Sequence, residues 1–409
     1  MFSNQLSGVS HKEKKNLGLL LVIGWLYTLG IYLSSIFVNI FLWKQTGDLY
    51  ILALYNLSIY LVQTLIFICI GKWAKKIDRV IILRAGIFII SVFFISVLLL
   101  STKASDLYLM LGAIIGAGYG LFWLAYNILI FEVTEPYTRD FFNGMFGALQ
   151  SLSGMVGPLS AGFIITNLTG YKGYLTIFFI SFVLFILAII CSIFLERRTV
   201  DGDYNIKEVI KERKRNKQWN LMLGAHLFQG MREGVFLFLI GLWVYLGTQS
   251  ELIVGIYNMI YALASFVMYQ VVARIVKPDN RKSLIVLGAI FLYVTVIWLI
   301  FANEPLDYYI YAGTLGVFLP LFFAPYMSIS YDIIGQARNA REYRVEYIIF
   351  RDIVLNSGRA ISLILFLVGL SFFTPVQWMK YAVLIFGVGY LISGLIIIKI
   401  NRLRHQINE

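Results

Sequence analysis

The sequence predicts an all-α membrane protein of twelve transmembrane helices, arranged as two pseudo-symmetric six-helix bundles, on three observations. Its 409 residues are 59% hydrophobic and only 14% charged, with a mean hydropathy of +0.79; soluble domains are roughly 45–50% apolar and about 25% charged. Apolar runs of about 20 residues, long enough to cross a hydrocarbon core as helices, recur along nearly the whole chain. The chain also resembles itself at an offset of 200 residues, which takes Gly24 to Gly224.

Span 1 covers 17–43 and follows a polar, then basic start, MFSNQLSGVSHKEKK. It exceeds the core of a secretory signal peptide, so it is expected to persist as a helix. Spans 2, 3 and 4 fall at 50–70, 80–100 and 107–131, and spans 5 and 6 at 142–166 and 174–195. The one long polar segment, ERRTVDGDYNIKEVIKERKRNKQ (196–218), reads either as a basic amphipathic helix on the membrane surface or as a solvated linker. Spans 7 to 12 follow at 219–247, 251–272, 283–302, 308–333, 345–373 and 377–400. The domains are therefore 1–195, a linker 196–218, and 219–409.

The net charge of +12 raises the question of a nucleic-acid partner. With the N-terminus placed in the cytoplasm, most of the 34 basic residues fall in cytoplasmic loops and only Lys44, Lys103, Lys172 and Lys380 lie outside. That asymmetry orients a multi-pass protein of the cell membrane with both termini cytoplasmic, and calls for no nucleic acid. Cys69 and Cys191 both lie inside spans, so neither a disulfide framework nor a metal cluster is expected. No phosphate-cradling GxxxxGK[ST] loop, nucleophile elbow or zinc-protease pattern is present, which speaks against an ATPase or an enzyme. No cofactor is implied.

The repeat is specific. Gly24, Gly30, Trp43 and Gly47 match Gly224, Gly230, Trp243 and Gly247, and LFWLAYNILIFE (121–132) lies over LFFAPYMSISYD (321–332). GKWAKKIDR (71–79), between spans 2 and 3, is similar to the signature loop of the major facilitator superfamily, with Lys75 where that family usually has an aspartate. GPLSAG (157–162) in span 5 resembles the Gly-Pro motif of its drug/proton antiporters, with Ala161 in place of a glycine. The resemblance extends over essentially the whole chain. It implies a transporter in which one half rocks against the other around a midplane cavity lined by spans 1, 4, 7 and 10.

Glu132 and Arg139 are separated by six residues at the end of span 4, and Asp332 and Arg338 by five at the end of span 10. In sugar porters of the superfamily such a pair contacts the signature loop. The resemblance thus implies two cytoplasmic latches, Asp78, Arg79, Glu132 and Arg139 in one half and Asp279, Arg281, Asp332 and Arg338 in the other. The plainer reading is solvated loop charges, each pair worth about 0–1 kcal/mol.

Span 7 contains LFQGMREGVFLFLIG (227–241), which sets Arg232 and Glu233 roughly 20 Å from its cytoplasmic start. Arg359 in span 11 reaches a similar depth. An ionised side chain there costs at least ~2.5–3.5 kcal/mol unless it meets a partner or water. His226, Gln229 and Glu233 share a helical sector of roughly 60°, with Arg232 about 100° away. On span 11, Asp352, Asn356 and Arg359 form one stripe. The resemblance sets spans 7 and 11 side by side, so Glu233 is expected to meet Arg359, with Arg232 turned toward the cavity. Two readings compete: buried pairs that fix packing, or groups that act in transport. In the second, Glu233 and Asp352, with His226 as a further candidate, carry protons, while Arg232 and Arg359 attract an anionic group. The first repeat lacks midplane charge; by the family position of its helices Tyr27, Tyr32, Trp123 and Tyr126 form an aromatic lining that binds the solute, with Tyr326 in the matching position of span 10, while the plainer reading of such a stripe is helix packing. Pro320 and Pro325 in span 10 remove backbone bonds and allow a bend.

The expected function is secondary active transport of an amphipathic or anionic organic solute by alternating access, proton-coupled and in the direction of export. Partners are a small-molecule or lipid-like solute, protons and membrane lipids, and the chain is expected to act as a monomer. Multidrug efflux, flipping of a lipid-linked precursor and a non-transporting receptor or scaffold are the alternatives.

Overall fold

A computed structural model describes residues 11–73, 76–133, 136–196, 204–340 and 342–400, and among them every regular element is a helix. Eleven helical stretches are long and apolar enough to cross a bilayer, and the longest, Arg79–Ile130, holds two helices joined by the 3-10 turn Ser101–Leu107. The protein is a multi-pass membrane protein, with twelve spans among the described residues.

In the first repeat these are α1 (His11–Thr46), α2 (Leu49–Gly71), α3 (Arg79–Leu100), α4 (Tyr108–Val133), α5 (Pro136–Asn167) and α6 (Lys172–Ile193). Asp48 and Asp78 start α2 and α3 by accepting hydrogen bonds from the Tyr50 and Val80 amides, each at 2.8 Å. Such caps satisfy donors that a helix start leaves open. Next come α7 (Ile206–Arg215), α8 (Lys217–Thr248), α9 (Glu251–Ile275), α10 (Arg281–Ile300), α11 (Pro305–Gly335) and α12 (Arg344–Leu370). The last span is broken at Val388 into α13 (Pro375–Gly387) and α14 (Gly389–Ile398). Both prolines of α11 lie within a continuous helix.

The chain packs as two units. One comprises Met1–Asp203, Phe238–Leu263 and Asn303–Tyr309; the other comprises Tyr204–Leu237, Ala264–Ala302 and Ile310–Glu409. In the first, small residues let backbones touch: added methyls on Gly112 and Gly116 of α4 would stand 2.5 Å from the Tyr55 and Ile59 carbonyl oxygens of α2. Close approach through small residues is how spans associate where lipid is as apolar as leucine. A buried amide pair, Asn56 Nδ2 to Asn39 Oδ1 at 2.8 Å, ties α2 to α1.

The second unit has its core around Trp219, Met222, Phe322, Tyr326, Tyr347 and Tyr390. Its α10–α11 contact repeats α3–α4: a methyl on Gly86 would meet the Phe122 amide at 2.6 Å, and one on Gly288 the Phe322 amide at 2.8 Å. Phe122 stacks on Tyr126 at 5.1 Å and 16°, Phe322 on Tyr326 at 5.2 Å and 20°. The 200-residue repeat is thus visible in side-chain packing. Of the two readings of the polar segment, its described part forms helix α7, whose Val209 is buried in this core.

Candidate functional site

Helices α8 and α12 cross through glycines. Added methyls on Gly230 and Gly234, one turn apart on α8, would strike the carbonyls of Leu355 and Arg359, and one on Gly358 would strike that of Leu227. This backbone contact carries Glu233, next to Gly234, and Arg359, next to Gly358, to each other. Arg359 donates to Glu233 Oε2 from Nη2 at 2.6 Å and from Nε at 3.2 Å, and its Nη1 donates to Asn356 Oδ1 at 2.9 Å. Glu233 Oε1 accepts from Gln229 Nε2 at 2.8 Å and from Tyr390 Oη at 3.3 Å. The carboxylate is saturated by four donors, and the side chains of Glu233 and Arg359 are only 13% and 18% exposed.

The network continues along α8. Because Gln229 turns its amide nitrogen to Glu233, its Oε1 faces His226 Nδ1 at 2.9 Å, so that ring nitrogen is the donor. The opposite nitrogen, Nε2, lies 3.0 Å from Ser330 Oγ on α11, and the ring packs edge-on to Tyr326 at 5.1 Å. His226, Gln229, Glu233, Arg359 and Asn356 therefore form one hydrogen-bonded chain.

Arg232 departs from the expectation that it faces open space. It is 5% exposed, with its guanidinium between the rings of Phe236, 4.2 Å away, and Tyr390, 4.1 Å away. Its Nε has no hydrogen-bond partner, and among the described residues no carboxylate pairs with it. Its direction follows from the roughly 100° step between neighbours: with Glu233 committed to α12, Arg232 turns to α14. Asp352 does not join the Glu233 network but is held by its neighbour Arg351, at 2.9 Å from Nε and 2.8 Å from Nη2. The length of arginine lets it fold back on an adjacent residue.

In the first unit, Tyr27 stacks on Phe122 at 3.4 Å and meets Trp123 edge-on at 5.7 Å, while Tyr126 donates to the Leu20 carbonyl at 3.2 Å. Tyr27 and Tyr126 are buried, as is Tyr326 in the second unit. All three occupy packing positions, while Tyr32 and Trp123 keep partial exposure. The aromatic pattern marks these helices' interior because rings that share one helical face pack best on each other.

Of the eight latch residues, the structure pairs Arg281 with Asp332 at 2.7 Å. Asp279 and Arg338 are exposed outside this pair. Asp78 caps α3, and Arg79 beside it is buried. The side chains of Glu132 and Arg139, like Lys75 of the loop, lie outside the described residues.

A second charged cluster escaped the sequence. In the first unit Lys44 Nζ stands 2.7 Å from Glu251 Oε1, which also accepts from Tyr174 Oη at 2.7 Å. The ammonium lies 5.4 Å from the ring centre of Tyr174 and 5.7 Å from that of Tyr245. Beside it, a methyl on Gly162 would be 2.5 Å from the Glu251 carbonyl oxygen, and one on Gly255 2.5 Å from that of Pro158. The GPLSAG segment thus packs against α9 directly. Two signals were available: Gly230 and Gly234 at four-residue spacing foretell the α8–α12 crossing, and Lys44 and Glu251 are opposite charges at span ends on the same side.

The family model of the Major Facilitator Superfamily matches residues 20–345. A protein of Bacillus subtilis (strain 168) named "Uncharacterized protein YqgE" is 43% identical over 376 residues, covering 92% of this chain and 87% of its own length. A Geobacillus stearothermophilus protein named "Uncharacterized protein in sodM 3'region" is 53% identical over 171 residues, 42% of this chain and 79% of its own.

Proposed function

The chain belongs to the Major Facilitator Superfamily and is a membrane transporter; from that premise we propose that it is a proton-coupled secondary transporter of an amphipathic organic anion, working by alternating access in the cell membrane with both termini cytoplasmic. The observation that carries this reading is a buried arginine, Arg232, with no carboxylate partner among the described residues, next in sequence to the saturated Glu233–Arg359 pair. A lone guanidinium in hydrocarbon is costly, and an anionic group supplies what it lacks.

Coupling follows from charge. A proton on Glu233 removes the carboxylate that neutralises Arg359, leaving that guanidinium for an incoming anion, with the positive charge of Arg232 close by on the same helix as Glu233. Conversely, an anion beside Glu233 disfavours its charged form and favours its proton. By reciprocity the two ligands bind cooperatively, an effect of 5–150-fold for a typical coupling of about 1–3 kcal/mol. Cooperative binding of proton and anion gives symport. Gln229, itself held by His226, orients the Glu233 carboxylate that takes the proton, with Asp352 a separate acid paired to Arg351. Arg281–Asp332 serves as a cytoplasmic latch, with Arg79 and Glu132 its counterparts in the first repeat, and Lys44–Glu251 as a latch at the other face.

Export by antiport is the second reading, favoured by the contact of Pro158 and Gly162 with α9. It calls for a solute with a cationic group that competes with the proton for Glu233.

Thermal stabilisation by a panel of organic anions and cations, at one acidic and one alkaline pH, separates the readings. Amphipathic anions are expected to stabilise the wild type more at acidic pH and to lose their effect in Arg232→Gln. Stabilisation by cations alone, strongest at alkaline pH and lost in Glu233→Gln, would replace symport with antiport.

A further inference from the structure

A groove of about 390 Å³ opens where α7 meets the first turn of α8 and the end of α14, lined by Glu212, Arg215, Asn216, Lys217, Gln218, Leu221 and Lys399. Its walls are fixed. Val209 anchors α7 in the core with Trp219 and Tyr347, and Glu346 Oε1 accepts from the Asn205 amide at 3.1 Å. Asn216 Oδ1 joins α7 to α8 by accepting from the Gln218 and Trp219 amides at 3.0 and 3.1 Å. Elsewhere on α7, Lys211 donates to Glu208 at 2.8 Å and holds that carboxyl below the usual carboxylate range.

The cations of the groove are less engaged. Arg215 has one ion pair, at 3.8 Å to Glu208, and Lys217 and Lys399 are exposed, with neither ion pair nor side-chain hydrogen bond among the described residues. Lys217 opens one membrane span and Lys399 directly follows the end of another, so both stand at the depth of lipid headgroups. Leu221 lies one turn further into the span. Exposed Lys207, Arg213 and Lys214 on the same helix add to the positive potential. Basic groups immediately beside a span attract anionic lipid at about 1 kcal/mol each.

We propose that this groove is a binding site for the headgroup of an anionic glycerophospholipid, its phosphate held by Arg215, Lys217 and Lys399. Glu212 is the one acid of the lining, and it accepts a hydroxyl of a glycerol-type headgroup. The first methylenes of an acyl chain lie along Leu221. A free phosphate lacks the apolar portion that Leu221 meets, and a choline headgroup brings a cation toward three others. The site is independent of the proton-coupling reading, which concerns the middle of α8.

The full chain in detergent is titrated with phosphatidylglycerol, phosphatidylcholine and inorganic phosphate, with lipid retention read by native mass spectrometry and stability by thermal unfolding. Phosphatidylglycerol is expected to be retained and to stabilise. The double variant Lys217→Gln/Lys399→Gln weakens its retention about 30-fold. Lys207→Gln/Lys214→Gln removes the same charge from the helix outside the groove and is expected to weaken it several-fold less. Equal losses in the two double variants, equal retention of phosphatidylcholine, or equal stabilisation by inorganic phosphate would each overturn the proposal.

Discussion

Removing the charge of Glu233 is the most informative single change. In Glu233→Gln, the oxygen that accepts two Arg359 bonds, at 2.6 and 3.2 Å, loses its charge, and an amide oriented to keep one acceptor turns its NH₂ toward another donor. Breaking a buried pair from one side costs about 3–5 kcal/mol, mostly because the remaining charge is stranded. With 13% and 18% of the two side chains exposed, the lower end, about 3 kcal/mol, applies. Arg359→Gln strands Glu233 instead and carries a similar cost. The double variant strands neither, so its loss is expected to fall at least about 2 kcal/mol short of the sum. Chemical unfolding of the four proteins in one detergent, followed by tryptophan fluorescence, measures the cycle. Additive losses would refute the idea that these charges neutralise each other within the membrane.

Lys44→Gln and Glu251→Gln should each shift the conformational equilibrium away from the closed latch about 5-fold, a coupling of about 1 kcal/mol; spin labels at Tyr50 and Gln249 report this as a longer distance population, and unchanged distances would remove the latch. Gly234→Ala drives a methyl into the Arg359 carbonyl and Ser362 Oγ and should cost about 1–3 kcal/mol, whereas Gly224→Ala, whose nearest neighbour is 3.9 Å away, should be neutral or stabilising in thermal unfolding. Asp332→Asn, at a partly exposed pair, should change stability by no more than about 1 kcal/mol. The exchange Arg281→Asp/Asp332→Arg should recover uptake lost in either single variant, and failure to recover it in a vesicle assay would leave the pair as a surface contact.

The spans were legible because hydrophobic length is a direct physical requirement for crossing lipid. Their ends were less so: α1 begins at His11, ahead of the apolar run at 17, because polar residues continue a helix into the headgroup layer. The break at Val388 carries no proline signal. For the site, the family resemblance set spans 7 and 11 side by side, and depth arithmetic with helical angle then matched Glu233 to Arg359, since one residue of helix fixes both rise and rotation. The same rules could not place the far end of a long side chain. Arg232 found Phe236 and Tyr390, and Arg351 folded onto Asp352, through choices that depend on partners distant in sequence. Lys44 and Glu251 pair across 207 residues, a separation at which no periodicity connects them.

Proton movement in proteoliposomes, driven by the organic anion that stabilises the protein most, tests the coupling most directly. Wild-type protein should carry protons in the same direction as the anion, and Glu233→Gln should pass the anion with no accompanying protons. Equal proton movement by both proteins would contradict the assignment of Glu233 as the coupling group.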